Sequence, residues 1–239
     1  MSAGPFPCVC LVTDRRQVSP DARTVAAEIA GLERWLDDAI DAGVDLIQIR
    51  ERDLPASVLA ACAARVLARA RQGRTRVAVN DRVDVALAVG ADGVHLPESG
   101  LPVAAVRALA PPGWTVGRSV HAVSEAAAEA HAGATYLLFG TVFPSTSKPP
   151  DAPVQGLKRL QAAVAASVAP VVGIGGITPE RARLCAAAGA AGVAAIGLFL
   201  PEGRGDGAIG PVRATRALRA AFDGQARPAS RFAFPIPPC

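Results

Sequence analysis

Short apolar runs rich in Val, Ile and Leu alternate along this chain with longer Ala- and Arg-rich segments whose apolar positions recur at helical spacing. The runs predict strands over Cys8 to Thr13, Asp45 to Arg50, Arg76 to Asn80, Gly93 to Leu96, Thr115 to Val120, Tyr136 to Gly140, Val171 to Gly175 and Gly192 to Ile196. Each is short and apolar, as parallel strands buried on both faces are. Helices are predicted over Ala22 to Ala42, Pro55 to Gln72, Asp84 to Val89, Pro102 to Leu109, Ser124 to His131, Leu157 to Ala166, Pro179 to Ala188 and Pro211 to Phe222. Pro55, Pro102 and Pro179 suit a first helical turn, where the missing N–H would be unpaired anyway. Ser124 and Thr178 read as N-caps. Gly43, Gly90, Gly133 and Gly189 each fall between a helix and the next strand, the place for a left-handed C-cap. Eight βα units joined by right-handed crossovers close into a barrel, with an open doubly wound sheet as the competitor. The expectation is an α/β fold, a single (β/α)8 TIM barrel over residues 1–224 followed by a short irregular Pro-rich tail, 225–239.

Composition narrows this picture without redirecting it. Of the 239 residues 51% are hydrophobic, enough to bury one large core. No apolar run reaches the ~18 residues of a membrane helix, and Met1 to Thr13 lacks the basic-then-apolar pattern of a secretory signal. A soluble, cytoplasmic chain with no membrane partner is expected. The five cysteines form no CxxC pair, and their odd number argues against a full disulfide framework. Cys8 and Cys10, two apart in an apolar strand, read as core rather than as a metal fragment. The formal charge of +4 is carried almost wholly by arginine, which suits an anionic ligand. Aromatic residues at 4%, and no basic run longer than two, exclude a nucleic-acid surface.

In such a barrel the chemistry sits at the C-terminal ends of the strands, so polar residues there ask for a functional reading. They cluster strongly: Thr13-Asp14-Arg15, Gln48 to Arg52, Asn80-Asp81-Arg82, His95 to Glu98, Arg118 to His121, and a sixth loop carrying Ser145, Thr146, Ser147 and Lys148. Gly175 and Gly176 after the seventh strand and Gly197 after the eighth offer unobstructed backbone amides beside a helix start, the usual phosphate seat of the fold; the Gly-Gly could equally be a tight turn. Gln48 and Arg50, two apart in a strand, point the same way and need a ligand or a carboxylate such as Asp81. His131 reads as a helix C-terminal or solvent residue. His95 could be a hydrogen-bonded barrel residue. His121, beside Ser119 and across from the glycines, could move protons at neutral pH.

These segments resemble the thiamin-phosphate synthase and thiazole tautomerase (TenI-like) family over nearly all of Cys8 to Leu200. The resemblance rests on Leu-Val-Thr-Asp-Arg at 11–15, Gln-Ile-Arg-Glu-Arg at 48–52, Val-Asn-Asp-Arg-Val-Asp at 79–84, Gly-Val-His-Leu at 93–96, Gly-Arg-Ser-Val-His at 117–121, the loop from Phe139 to Lys148, and Gly-Ile-Gly-Gly-Ile-Thr-Pro at 173–179. It implies a small phosphorylated thiazole as ligand, a possible homodimer, and a substrate-binding set of Gln48, Arg50, Arg52, Asn80, Ser119, Ser145, Ser147, Lys148, Gly175, Gly176, Ile196 and Gly197.

The two branches of the family differ in chemistry. A synthase joins a pyrimidine diphosphate to thiazole phosphate with Mg²⁺, the metal held by the aspartate of the Asn-Asp pair, here Asp81, and by a second aspartate whose position is Gly100 in this chain. Loss of that carboxylate weakens a Mg²⁺ site, although Glu98 stands two residues away. Arg52 replaces the usual lysine. Arg118 to His121, Tyr136 to Gly140 and Leu96-Pro97 look like the tautomerase branch. The reading adopted from the sequence is therefore a metal-free thiazole tautomerase, an isomerase in which His121 shuttles a proton without a cofactor. A divergent Mg²⁺-dependent synthase is the first alternative and a non-catalytic ligand-binding relative the second.

Overall fold

The computed structural model describes residues 9–145, 151, 153–205 and 207–223. Cys8, Ser147, Lys148 and the Pro-rich tail lie outside the described residues.

The strands are β1 Val9–Val12, β2 Leu46–Ile49, β3 Arg76–Asn80, β4 Gly93–Leu96, β5 Thr115–Val120, β6 Tyr136–Gly140, β7 Val171–Ile174 and β8 Gly192–Ala195. All neighbours are parallel, and β8 pairs back onto β1 through Cys10 and Ala194, so the sheet is a closed barrel and the open doubly wound sheet is excluded. The helices are α1 Arg15–Val18, α2 Val25–Asp41, α3 Ala56–Ala70, α4 Val83–Ala88, α5 Val103–Leu109, α6 Val123–His131, α7 Gly156–Ala166, α8 Pro179–Ala187 and α9 Gly210–Phe222, with a 3₁₀ turn at Gly197–Phe199.

Strand alternation sorts the core into two layers. Leu11, Ile47, Ile49, Val77, Val79, Val94, Val116, Leu137 and Phe139 face outward and pack with the helices. Cys10, Val12, Leu46, Ala78, Tyr136, Leu138, Val172 and Ala194 fill the barrel itself. Among the described residues no helix is long and apolar enough to cross a membrane.

At the lower rim the predicted glycine turns carry a second device. Gly43, Gly90, Gly133 and Gly189 all take positive φ. After the first three of these, a polar side chain just before the next strand accepts the amide of a neighbouring strand: Val9 N donates to Asp45, Val77 N to Asp92 and Val116 N to Thr135. These side chains satisfy strand-end amides that the parallel ladder leaves unpaired.

Some predicted helix starts need correction. Ser124 lies inside α6, whose N-cap is Ala122; the side chain of Glu125 instead accepts the amides of His121 and Ala122. Pro55 and Pro102 occupy the N-cap positions of α3 and α5 in extended conformation, and of these three prolines Pro179 alone lies inside the first turn of its helix. Thr178 caps α8 as predicted, accepting from Arg181 N at 3.2 Å.

Candidate active site

The upper rim is assembled around a buried clasp between the ends of β1 and β2. The Arg15 side chain is 3% exposed and the Glu51 side chain 2%. The Arg15 guanidinium donates to Glu51 at 3.0 Å, to Asp53 at 2.6 and 2.7 Å and to Glu28 at 2.7 Å. Thr13 donates its hydroxyl to Glu51 at 2.6 Å and accepts from the backbone N–H of Arg50 at 2.9 Å. Burial pushes the Glu51 carboxyl upward, opposed by hydrogen bonds from Thr13 and Arg15, while the Arg15 hydrogen bond holds Asp53 down to about 2. The clasp fixes the backbone from which Arg50 and Arg52 project.

Two cavities open above the barrel. The first, about 470 Å³, is lined by Ser145, Gly175, Gly176, Thr178, Arg181, Ile196, Gly197 and Gly207. The second, about 320 Å³, is lined by Asp14, Gln48, Arg50, Arg52, Asn80, Glu98, Ser119, His121, Thr141 and Ile196 among others. They adjoin, sharing Gln17, Ile174, Gly175 and Ile196.

The glycines of the first cavity are required by their backbone. Gly175 and Gly176 take φ of +101° and +61°, and a Cβ on Gly176 would stand 2.3 Å from the Pro144 carbonyl oxygen. Arg181 donates to Gly176 O at 2.8 Å and stacks on Phe143 at 5.0 Å, bringing a cation to the same turn.

The second cavity is built on inward positions. Burial, then the like charge of Arg52, push Arg50 below the ordinary arginine range. Asp14 and Glu51 act on Arg50 through space, and among the described residues no ion pair joins it to Asp81, so the carboxylate partner considered from the sequence does not materialise. Gln48 is 2% exposed and Asn80 7%, both presenting amides to the cavity. His121 faces it with its Nδ1–H donated to Gly140 O and its Nε2 3.5 Å from Glu98. Arg118, by contrast, faces out of the barrel. Its guanidinium holds the carbonyls of Pro97, Glu98 and Leu101 and pairs with Glu129 at 3.1 Å, tying down the loop after β4.

Of the predicted site residues, Gln48, Arg50, Arg52, Asn80, Ser119 and His121 meet in the second cavity, Ser145, Gly176 and Gly197 in the first, and Gly175 and Ile196 between them. Asp81 lines neither. It is exposed and has a φ of +65°, the one non-glycine residue with positive φ among those described. A Cβ on Gly100 would lie 3.2 Å from Asp81 Oδ1, so positions 81 and 100 adjoin. Among the described residues no group of three or more His, Cys, Asp or Glu side chains could hold a metal. Sequence reasoning missed Gln17 and Arg181. The signal for Gln17 is the N-cap Asp14, which accepts from both its backbone and its side-chain amide.

Inside the barrel His95 is 1% exposed, and burial, then the charges of Arg118 and Arg50, push its imidazole down to about 3. An unfolded histidine titrates near ~6.5. As pH falls the unfolded chain therefore takes up the proton first: the stabilisation is complete above about 6.5 and is lost progressively towards about 3. We expect urea midpoints to fall over that window by an amount on the order of a few kcal/mol in stability, and His95→Gln to flatten the slope.

Comparison with known proteins adds the following. Residues 10–199 match the family model described as thiamine monophosphate synthase. A thiamine-phosphate synthase of Roseiflexus castenholzii is 39% identical over 222 residues, covering 90% of this chain and 89% of the relative. The bifunctional thiamine biosynthesis protein ThiM/ThiE of Symbiobacterium thermophilum is 44% identical over 183 residues, 77% of this chain; the chain spans 37% of that protein's length. The structure of a thiamine phosphate pyrophosphorylase from Pyrococcus furiosus superposes with a TM-score of 0.75 at 32% identity, over 90% of this chain and 95% of that one.

Proposed function

The chain belongs to the thiamine monophosphate synthase family, and from that premise we propose that it is a thiamin-phosphate synthase, joining a pyrimidine diphosphate to a thiazole phosphate. This replaces the tautomerase expected from the sequence: relatives 39% and 44% identical carry the synthase or bifunctional thiamine biosynthesis name. The reading is a transferase rather than an isomerase. Arg118, one of the residues behind the earlier expectation, is turned away from both cavities and braces a loop. Alkylation of a thiazole nitrogen needs no ring deprotonation, so the proton shuttle assigned to His121 loses its purpose.

The observation that carries the proposal is the pair of adjoining cavities, each suited to an anion. A synthase must hold a thiazole phosphate and a pyrimidine diphosphate side by side, and two adjoining seats supply room for both. The amides of Gly175, Gly176 and Gly197 bind the thiazole phosphate. Arg50 and Arg52 bind the diphosphate, Ser119 donates to it, and Gln48 and Asn80 hydrogen-bond the pyrimidine edge. The C–O bond to the diphosphate breaks, its electron pair leaving with pyrophosphate, and the thiazole nitrogen supplies the pair for the new C–N bond. Val12, Leu138 and Ile174 keep water from the reacting carbon.

Mg²⁺ belongs to this reading. Such an ion is commonly held by one or two carboxylates with substrate phosphates and water completing its shell; Glu98, on the wall of the second cavity, and Asp81, which adjoins the Pro97–Gly100 turn that carries Glu98, would supply them. When bound, the ion supplies charge neutralisation on the departing diphosphate.

Purified protein mixed with pyrimidine diphosphate, thiazole phosphate and Mg²⁺ is expected to release thiamin phosphate and pyrophosphate one for one, and to stop when the metal is chelated. Binding of thiazole phosphate without any thiamin phosphate would overturn the proposal.

A further inference from the structure

A polar chain crosses the barrel interior beneath the second cavity. Tyr136, at the start of β6, is fully buried. The register places it beside Gly117 of β5, and Gly117 beside His95 of β4. Tyr136 therefore reaches His95 across a strand, which only a residue without a side chain allows. A Cβ on Gly117 would stand 2.2 Å from Tyr136 Cζ and 2.5 Å from His95 Nδ1. Tyr136 Oη lies 3.1 Å from His95 Nδ1, and His95 Nε2 lies 2.9 Å from Ser119 Oγ, which lines the cavity.

We propose that Tyr136 is a positioning residue that acts through His95 to make Ser119 a hydrogen-bond donor to the substrate diphosphate. An imidazole between two hydroxyls relays direction. If the Tyr136 O–H donates to Nδ1, the proton of His95 sits on Nε2 and donates to Ser119 Oγ, whose own hydroxyl proton is then free to point into the cavity. In the opposite tautomer Ser119 must donate to His95 and presents only lone pairs to an anion. A cavity with Arg50 and Arg52 on its wall calls for the first arrangement. Burial keeps His95 neutral throughout the physiological range, so its tautomer is the variable that reaches the cavity.

The inference rests on the second cavity being the diphosphate seat, but its test does not require turnover. Two-bond proton–nitrogen correlation spectra of the full-length protein, labelled with ¹⁵N-histidine, should give His95 as the Nε2–H tautomer, unchanged between mildly acid and mildly alkaline pH. In Tyr136→Phe the signal should shift towards the Nδ1–H form, and affinity for inorganic pyrophosphate, measured by calorimetry, should fall about tenfold. Ser119→Ala should lose a similar factor, and the double variant should be no weaker than Ser119→Ala alone. An Nδ1–H tautomer in the unmodified protein overturns the proposal, and that measurement stands even if Tyr136→Phe fails to fold. Independent, multiplying losses in the two variants also overturn it. Intact tautomer coupling and pyrophosphate binding with no thiamin phosphate formed would sink the functional reading alone.

Discussion

Replacing Arg50 with methionine is expected to lower kcat/KM for thiamin phosphate formation by about a hundredfold or more, with the melting temperature unchanged or raised. The guanidinium is half-buried, beside a second arginine, and among the described residues it has no ion-pair partner. Without ligand it is therefore an electrostatic liability, and the fold loses little when it is removed. Bound diphosphate reverses this, because removing one partner of a desolvated charge pair typically costs ~2–5 kcal/mol, and ~1.4 kcal/mol is a factor of ten in kcat/KM. Arg50→Lys keeps the charge but not the planar fork, and should fall between the two. The readings are steady-state kinetics with the pyrimidine diphosphate varied, alongside a thermal melt. An Arg50→Met enzyme with full kcat/KM would remove the diphosphate from this cavity.

The second large effect is on stability. Arg15→Met should destabilise the protein by about 3–5 kcal/mol, since it leaves the Glu51 carboxylate buried without its cation. Thr13 and the Arg15 backbone N–H still bond Glu51, but they do not neutralise it. Adding Glu51→Gln to Arg15→Met should restore much of the loss, because an amide can still accept from Thr13 and carries no charge to strand. Urea unfolding of the two variants tests this pair. Equal stability of Arg15→Met and the unmodified protein would mean that the clasp contributes nothing to the fold. The single variant should also weaken diphosphate binding, as Thr13 and Glu51 fix the strand end that carries Arg50.

Both effects begin at residues visible in the linear pattern, yet their meaning was not. Thr13, Arg15, Gln48 and Arg50 stand out as polar groups at the ends of apolar runs. That Arg15 turns into a clasp while Arg50 turns into a cavity follows from strand alternation combined with a four-residue helix, α1, too short to show any periodicity. Arg118 and Ser119 are adjacent in sequence and equally conspicuous, but one braces the loop after β4 and the other lines the cavity. The replacement of the tautomerase reading by the proposed synthase rests instead on what the similar proteins are, which no local motif of this chain supplied.

What the chain determines by itself is the sequence of eight βα units, because period-2 and period-3.6 apolar patterns and their glycine and proline punctuation are local. The same locality puts the polar residues at the strand ends. Only the closed barrel decides which of them face each other: β8 must find β1, and Tyr136 must pass a glycine on the neighbouring strand to reach His95. Those relations depend on register between strands far apart in the chain, which no short window of residues encodes.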